Sequence, residues 1–168
     1  DDHDKEILIM DVDIKGLIRK LNKTCERALT SAAGDCVNRT HYEVTVEHML
    51  LQLIEEPASD VGPILRQFGV PTAHLVRRVQ HGLDSLRSGN AGKPVFSPIL
   101  LQWFKDAWLV SSIEFGDAQI RSGVLLTLLV RQPDRYTAED LVEQLEAIRL
   151  DDLRKGWHTI LDGSRETR

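Results

Sequence analysis

Two stretches of the chain carry apolar residues around almost the whole circumference of a helix. In Thr45–Ile54, TVEHMLLQLI, Val46, Met49, Leu50, Leu53 and Ile54 recur at helical spacing and leave almost no polar face, and Ser122–Val130, SGVLLTLLV, repeats the pattern. Helices of this kind have to be buried. Each follows an extended segment and carries a hydroxyl residue, Thr45 or Ser122, suited to capping the first turn. The chain therefore reads as two halves, each built around one central helix.

The remaining periodicity fills in both halves. Ile14, Leu17, Ile18 and Leu21 form one apolar stripe with Lys15, Arg19 and Lys20 opposite, which predicts a short amphipathic helix over residues 14–21. Gly16 weakens it, so it needs a neighbour to lie on. Asn22 is placed to cap a longer helix to about Val37, whose inner face holds Cys25, Ala28, Leu29, Ala32, Ala33 and Cys36; these small residues permit close approach of another helix. Pro57 ends the central helix, Asp60–Phe68 predicts a short helix stopped at Gly69, and Pro71 to about Leu86 a fourth. Residues 22–86 make the first unit and RSGNAGKPV, 87–95, the linker.

After the linker the design restarts. Ser97 can cap a helix with Pro98 at its first position and Phe96 stapled onto Leu101. Ser97 lies 75 residues after Asn22, and Leu125-Leu126 lies 76 after Met49-Leu50, an internal repeat with one residue gained in a loop. The second unit, about 96–161, contains a bulkier helix Ile99–Ile113 with Trp103, Phe104, Ala107 and Trp108. It continues with a helix around Leu141, Val142 and Leu145 and a last helix over about 151–161. Gly163–Arg168 reads as a polar tail leaving the domain. Strand signals are nearly absent, so the fold class is all-α.

Composition narrows the function. With 168 residues, 42% hydrophobic and 28% charged, the chain is large enough for one domain with a real core. The net charge is −5 and the basic residues are scattered, which argues against nucleic acid as a partner. No apolar run approaches the roughly 20 residues that cross a bilayer, and no signal-like leader is present, so no membrane partner and a cytoplasmic location are expected. Residues 1–9, DDHDKEILI, look like a tag or disordered lead. Cys25 and Cys36 are eleven residues apart, which on one helix is roughly 16 Å, too far for a disulfide; they read as small core residues.

Candidate chemistry is sparse. GNAGKP lacks the glycine and hydroxyl that a phosphate loop requires at Arg87 and Pro94. Glu47-His48 has no second histidine at the zinc-site spacing, and a histidine in the first turn of a buried helix reads as structural. No serine or cysteine pairs with a base, so neither metal, cofactor nor catalysis is expected.

The runs E-H-M-L-L-Q-L-I (47–54), I-L-R-Q-F-G-V (64–70), F-S-P (96–98) and S-G-V-L-L-T-L-L (122–129) resemble the N-terminal domain of the Clp unfoldases, AAA+ ring ATPases. In that domain two four-helix repeats are related by a pseudo-twofold axis. G-L-I-R-K-L-N (16–22), G-N-A-G-K-P-V-F-S (89–97), W-L-V-S-S-I-E-F-G (108–116) and D-L-R-K-G-W-H-T-I-L-D-G-S-R-E (152–166) are most similar to the ClpV branch, which disassembles the contracted sheath of the type VI secretion system. Val124 departs from the histidine common in relatives.

The resemblance implies a binding domain with one added N-terminal helix, Ile14–Leu21, recognising an N-terminal helix of the large sheath subunit in a hydrophobic groove between that helix and the one beginning at Asn22, with Phe96 and Ser97 near one edge. The partner-binding residues so implied are Ile14, Leu17, Ile18, Leu21, Cys25, Phe96 and Ser97. ATP, magnesium and assembly into a homohexamer belong, on the same resemblance, to ring modules absent from these residues. The alternatives are an adaptor- or degron-binding domain of a protease-linked Clp unfoldase, and a helical domain holding a small molecule near Trp103 and Trp108.

Overall fold

A computed structural model describes residues 13–138 and 140–166, so the acidic lead at 1–9 lies outside the described residues. The chain is helical at residues 13–18 (α1), then forms α2 (Lys23–Asn38), β1 (Glu43–Val44), α3 (Val46–Glu55), α4 (Val61–Gln67) and α5 (Thr72–Asp84). After the linker come β2 (Val95–Phe96), α6 (Pro98–Ile113), α7 (Ser122–Arg131), α8 (Pro133–Tyr136), α9 (Val142–Leu145), α10 (Leu150–Lys155) and α11 (Trp157–Leu161). Every residue from Ser122 to Leu129 is buried, as are all those of α3 from Val46 to Ile54 except Gln52. The two central helices are α3 and α7.

Each repeat packs a long first helix on its central one, α2 on α3 and α6 on α7, while α5 covers α3 and α10 covers α7. The repeats meet where α3 touches α6 and α4 touches α7 and α11. Trp103 and Phe104 of α6 are wholly buried, and Trp103 Nε1 donates to the Leu125 carbonyl at 3.0 Å. That bond satisfies the indole and leaves Trp103 no face for a small molecule.

Several start and stop signals act as the sequence predicts. Asn22 Oδ1 accepts the Cys25 N–H at 2.9 Å, and Ser97 Oγ accepts from Ile99 and Leu100. Gly69 ends α4 at φ +65°, a conformation that glycine adopts without strain. Other expectations fail. β1 and β2 form a two-residue parallel pair, Glu43 opposite Val95 and Val44 opposite Phe96, too short to leave a period in the sequence. The helix expected over 151–161 is broken at Gly156 into α10 and α11, and the one around Leu141–Leu145 is a single turn.

Through Glu166 the closing segment stays against the domain. Ser164 and Glu166 are buried, and Ser164 Oγ donates to the Ala58 carbonyl at 3.2 Å. The polarity that reads as a solvated tail instead serves buried backbone groups.

The N-terminus of α3 is closed locally. Thr45 Oγ1 accepts the His48 N–H, and His48 Nδ1 accepts the Thr45 N–H at 2.9 Å, a capping box with histidine in the usual Glu or Gln place. With Nδ1 accepting, the ring proton sits on Nε2 and is donated to His41 Nδ1 at 2.8 Å. Both rings are therefore neutral. Burial, and next the neighbouring His41, push His48 down to about 4.

The stability supplied by the neutral ring is complete above the unfolded histidine value near 6.5 and is lost as pH falls from there towards about 4. Thermal unfolding by circular dichroism should show the midpoint dropping between pH 7 and pH 4.5. His48→Gln, which keeps a capping acceptor without titrating, should show a smaller drop; an identical drop in both would remove His48 as the cause.

Candidate partner-binding face

The apolar stripe of α1 is laid against the body of the protein. Ile14, Leu17 and Ile18 are half-buried, and Leu17 and Ile18 pack on the core. The helix stops earlier than its spacing predicts: residues 19–20 are a turn, and Leu21 is extended. Leu21 pairs with Ile120 in an isolated parallel bridge, in which Ile120 N–H donates to the Lys20 carbonyl at 2.6 Å and Asn22 N–H to the Ile120 carbonyl at 2.9 Å. That bridge takes Leu21 out of the stripe and leaves it 2% exposed, beneath the surface. Cys25 is wholly buried one turn into α2. Of the seven candidates, Ile14, Leu17, Ile18 and Phe96 keep accessible surface, while Leu21, Cys25 and Ser97 support it from below.

The same region is tied to α6. Lys20 Nζ stands 4.5 Å from the centre of the Trp108 ring, a cation–π contact. Leu101, two helical turns earlier, shares the Trp108 flank and is also half-buried. At the other end of α6, Phe96 lies in β2 beside Val44 and Ser97 is the cap. α2 begins near the Trp108 end and leads into β1, so α2 and α6 run in opposite senses between the two ends. Phe96 and Trp108 are twelve residues apart, about 18 Å at helical rise. The residues after α1 thus lie at the Trp108 end of α6, and Phe96 lies at the start of that helix.

α2 contributes a shallow surface to this side of the molecule. Thr30, Ala33 and Val37 follow one another at helical spacing, and Val37 is 52% exposed. Basic residues cluster nearby in the chain, with Lys15, Arg19, Lys20, Lys23 and Arg27 all exposed. In a chain of net charge −5, that is a local excess of positive charge.

Sequence reasoning misses the polar junction beneath the face. Asp60, 0% exposed, accepts from Arg121 Nε at 2.6 Å, from Arg121 Nη2 at 2.8 Å and from the Gly123 N–H at 3.0 Å. A Cβ at Gly123 would stand 3.0 Å from both Asp60 Oδ2 and Trp157, so the helix start packs closely on the junction there. Glu166 Oε1 accepts from the Ser122 N–H at 2.6 Å and from Asn22 Nδ2 at 2.9 Å, and the Cys25 thiol lies 3.5 Å away. Its Oε2 accepts from Ser122 Oγ at 2.5 Å and the Asp60 N–H at 2.7 Å.

Burial, and then the Asp60 charge, raise Glu166 above the usual carboxylate range, against the hydrogen bonds from Ser122 and Asn22 that favour its charge. Burial, and next Glu166, push the Cys25 thiol well up, so it stays protonated and donates. The Ser122 hydroxyl, read from sequence as the cap of α7, instead sits on the first helical residue. The N-cap, Arg121, makes no side-chain cap bond, and the work falls to the distant carboxylates of Asp60 and Glu166.

These features define a helical double-repeat domain with one short helix, α1, laid against it. The chain belongs to the Clp repeat (R) N-terminal domain family, whose pattern matches residues 20–144. It is 26% identical over 151 residues to the AAA+ ATPase ClpV1 of Pseudomonas aeruginosa, covering 89% of this chain and 17% of that protein. It is 30% identical over 159 residues to the chaperone ClpB of Yersinia enterocolitica, covering 94% and 18%. The chain thus spans less than a fifth of these curated relatives.

Among solved structures, the N-domain of ClpV from Vibrio cholerae superposes with TM-score 0.83 at 35% identity, over 91% of this chain and 92% of that one. A ClpV N-domain in complex with a VipB peptide superposes with TM-score 0.80 at 36% identity, over 91% and 94%. No helix among the described residues is long and apolar enough to cross a membrane.

The geometry separates residues that carry the fold from residues that present a surface. Leu21→Ala should cost about 2–5 kcal/mol in urea unfolding, as for a buried leucine, and Leu17→Ala about 1 kcal/mol because its side chain is only part-covered. Arg121→Met leaves Asp60 buried without its partner and should cost about 3–5 kcal/mol. A Leu17→Ala loss as large as that of Leu21→Ala would show α1 to be core rather than surface.

Proposed function

We propose that this chain is the substrate-recognition domain of a type VI secretion ATPase and binds a helix near the N-terminus of the large sheath subunit. The observation that carries this reading is its likeness, over nine-tenths of its length, to a ClpV N-domain that binds a VipB peptide. The open apolar face supports it. An amphipathic helix would set its i, i+3, i+4 and i+7 residues against Ile14, Leu17 and Ile18, with Phe96, Leu101 and Trp108 along the opposing side. The exposed basic residues near α1 suit acidic positions on that helix, which steer encounter more than they add affinity.

Such a contact is small, so a single domain binds weakly. Several copies on a ring acting on a repeating sheath would gain through effective concentration rather than extra contacts. The parent is then an ATP- and magnesium-dependent homohexamer whose ring modules pull on a contracted sheath and take it apart. This domain does no chemistry itself. Likeness to ClpB leaves one further reading, an adaptor- or degron-binding domain of another Clp unfoldase, which would not need α1.

The test is fluorescence anisotropy of a labelled N-terminal peptide of the sheath subunit, titrated with the wild-type chain and with folded Leu17→Arg and Phe96→Arg variants. Saturable binding lost in both variants is expected. No binding at about 1 mM, where −4 kcal/mol would register, would favour the adaptor reading.

A further inference from the structure

The carboxylate of Glu166 is held far more completely than a tail residue requires. Its two oxygens receive the backbone N–H groups of Asp60 and Ser122, the Ser122 hydroxyl and the Asn22 amide, at 2.5–2.9 Å. These donors come from three separate parts of the chain: the start of α2, the residue before α4 and the first turn of α7. The three parts are far apart in sequence, yet their donors converge on one carboxylate. Ser164, two residues earlier, bonds Ala58 and accepts the Glu166 N–H at 3.1 Å, so the tail segment is seated at two points.

Beside the carboxylate a cleft of about 440 Å³ is bounded by Asn22, Asp117, Gln119, Arg121 and Glu166. The carboxylate thus borders solvent on one side.

We infer that these donors form a carboxylate-binding cradle whose ligand is the chain's own Glu166, and that seating the tail there sets the geometry of α1 and α2. The connection is direct. Asn22 both caps α2 and binds Glu166, while its N–H holds Ile120 in the bridge that fixes Leu21 and the end of α1. Removing the carboxylate leaves Asn22 Nδ2 and the Ser122 and Asp60 N–H groups without that acceptor. The Asn22 side chain and the bridge beside it then have a reason to shift. The seated tail preorganises the α1 side of the face, and occupancy of that face in turn favours the seated tail, because coupling between two sites is reciprocal.

The coupling to a partner rests on the function proposed above; the cradle does not. The two are separated by using hydrogen exchange for the cradle and peptide anisotropy for the coupling, both on the whole chain. Glu166→Gln places an amide donor among donors and is the decisive variant; Ser122→Ala removes one donor together with the hydroxyl that also accepts the Asp60 N–H at 3.0 Å, so its readout is the residue-122 amide. Glu166→Gln should speed exchange of the Asp60 and residue-122 amides at least tenfold and Ser122→Ala that of residue 122, with α5 amides unchanged, whereas Arg165→Gln on the exposed neighbour should change neither.

In a chain that binds the sheath peptide, Glu166→Gln should weaken it three- to tenfold, and the peptide should slow exchange at residues 164–166. Unchanged exchange at Asp60 and Ser122 in both variants would overturn the cradle. Faster exchange with unchanged peptide affinity would overturn the coupling alone. Faster exchange in the variants, with no sheath-peptide binding by the wild-type chain, would count against the proposed function and leave the cradle standing.

Discussion

A helix buried on every side cannot leave its first N–H groups to water, and the two central helices meet this constraint in different ways. α3 is closed by its own neighbours, with Thr45 and His48 capping each other and His41 completing the buried set. α7 has no local cap. Its first N–H groups are met by Glu166 and Asp60, which arrive from the end of the chain and from the other repeat. The second solution makes the N-terminus of α7 the point where both repeats and the tail are joined.

That junction needs two buried carboxylates close together, and the local electrostatics reflect the arrangement. Asp60 is neutralised by the bidentate Arg121, while Glu166 relies on hydrogen bonds alone and carries the raised pKa. Arg121 is part-exposed and Asp60 fully buried, so the arginine brings its charge in from the edge. The bridge between Leu21 and Ile120 lies against the same junction, since Ile120 immediately precedes Arg121. α1 is thus held by Leu17 and Ile18 on the core, and the segment that follows it by the bridge beside this polar cluster.

How much of this is legible in the sequence follows from the range of each interaction. Asn22, Thr45 and Ser97-Pro98 act within one helical turn, and each capped helix begins where those residues place it. The buried faces of α3 and α7 are dense enough to be read directly, and the internal repeat and the family follow from them. Leu21 continues the stripe of Ile14, Leu17 and Ile18 perfectly, and only the distant Ile120 removes it from the helix. Glu166 stands in a stretch of Gly, Ser, Arg and Thr that has every local mark of a solvated tail; its partners lie 44, 106 and 144 residues away. No period or composition encodes contacts of that kind. For the candidate face the spacing supplied Ile14, Leu17 and Ile18, whereas Leu101, Trp108 and Lys20 become neighbours of it only through the packing of α6.

The central claim is that the face between α1, α2 and α6 receives a helix of the sheath subunit. It is tested most directly by a two-dimensional ¹H–¹⁵N NMR titration of the whole chain with an unlabelled peptide from that subunit's N-terminus. Shifts gathered at residues 14–25, at Phe96–Leu101 and around Trp108 are expected, with the amides of α5 unmoved. Shifts centred on α5 or α9, with residues 14–18 unaffected, would contradict it.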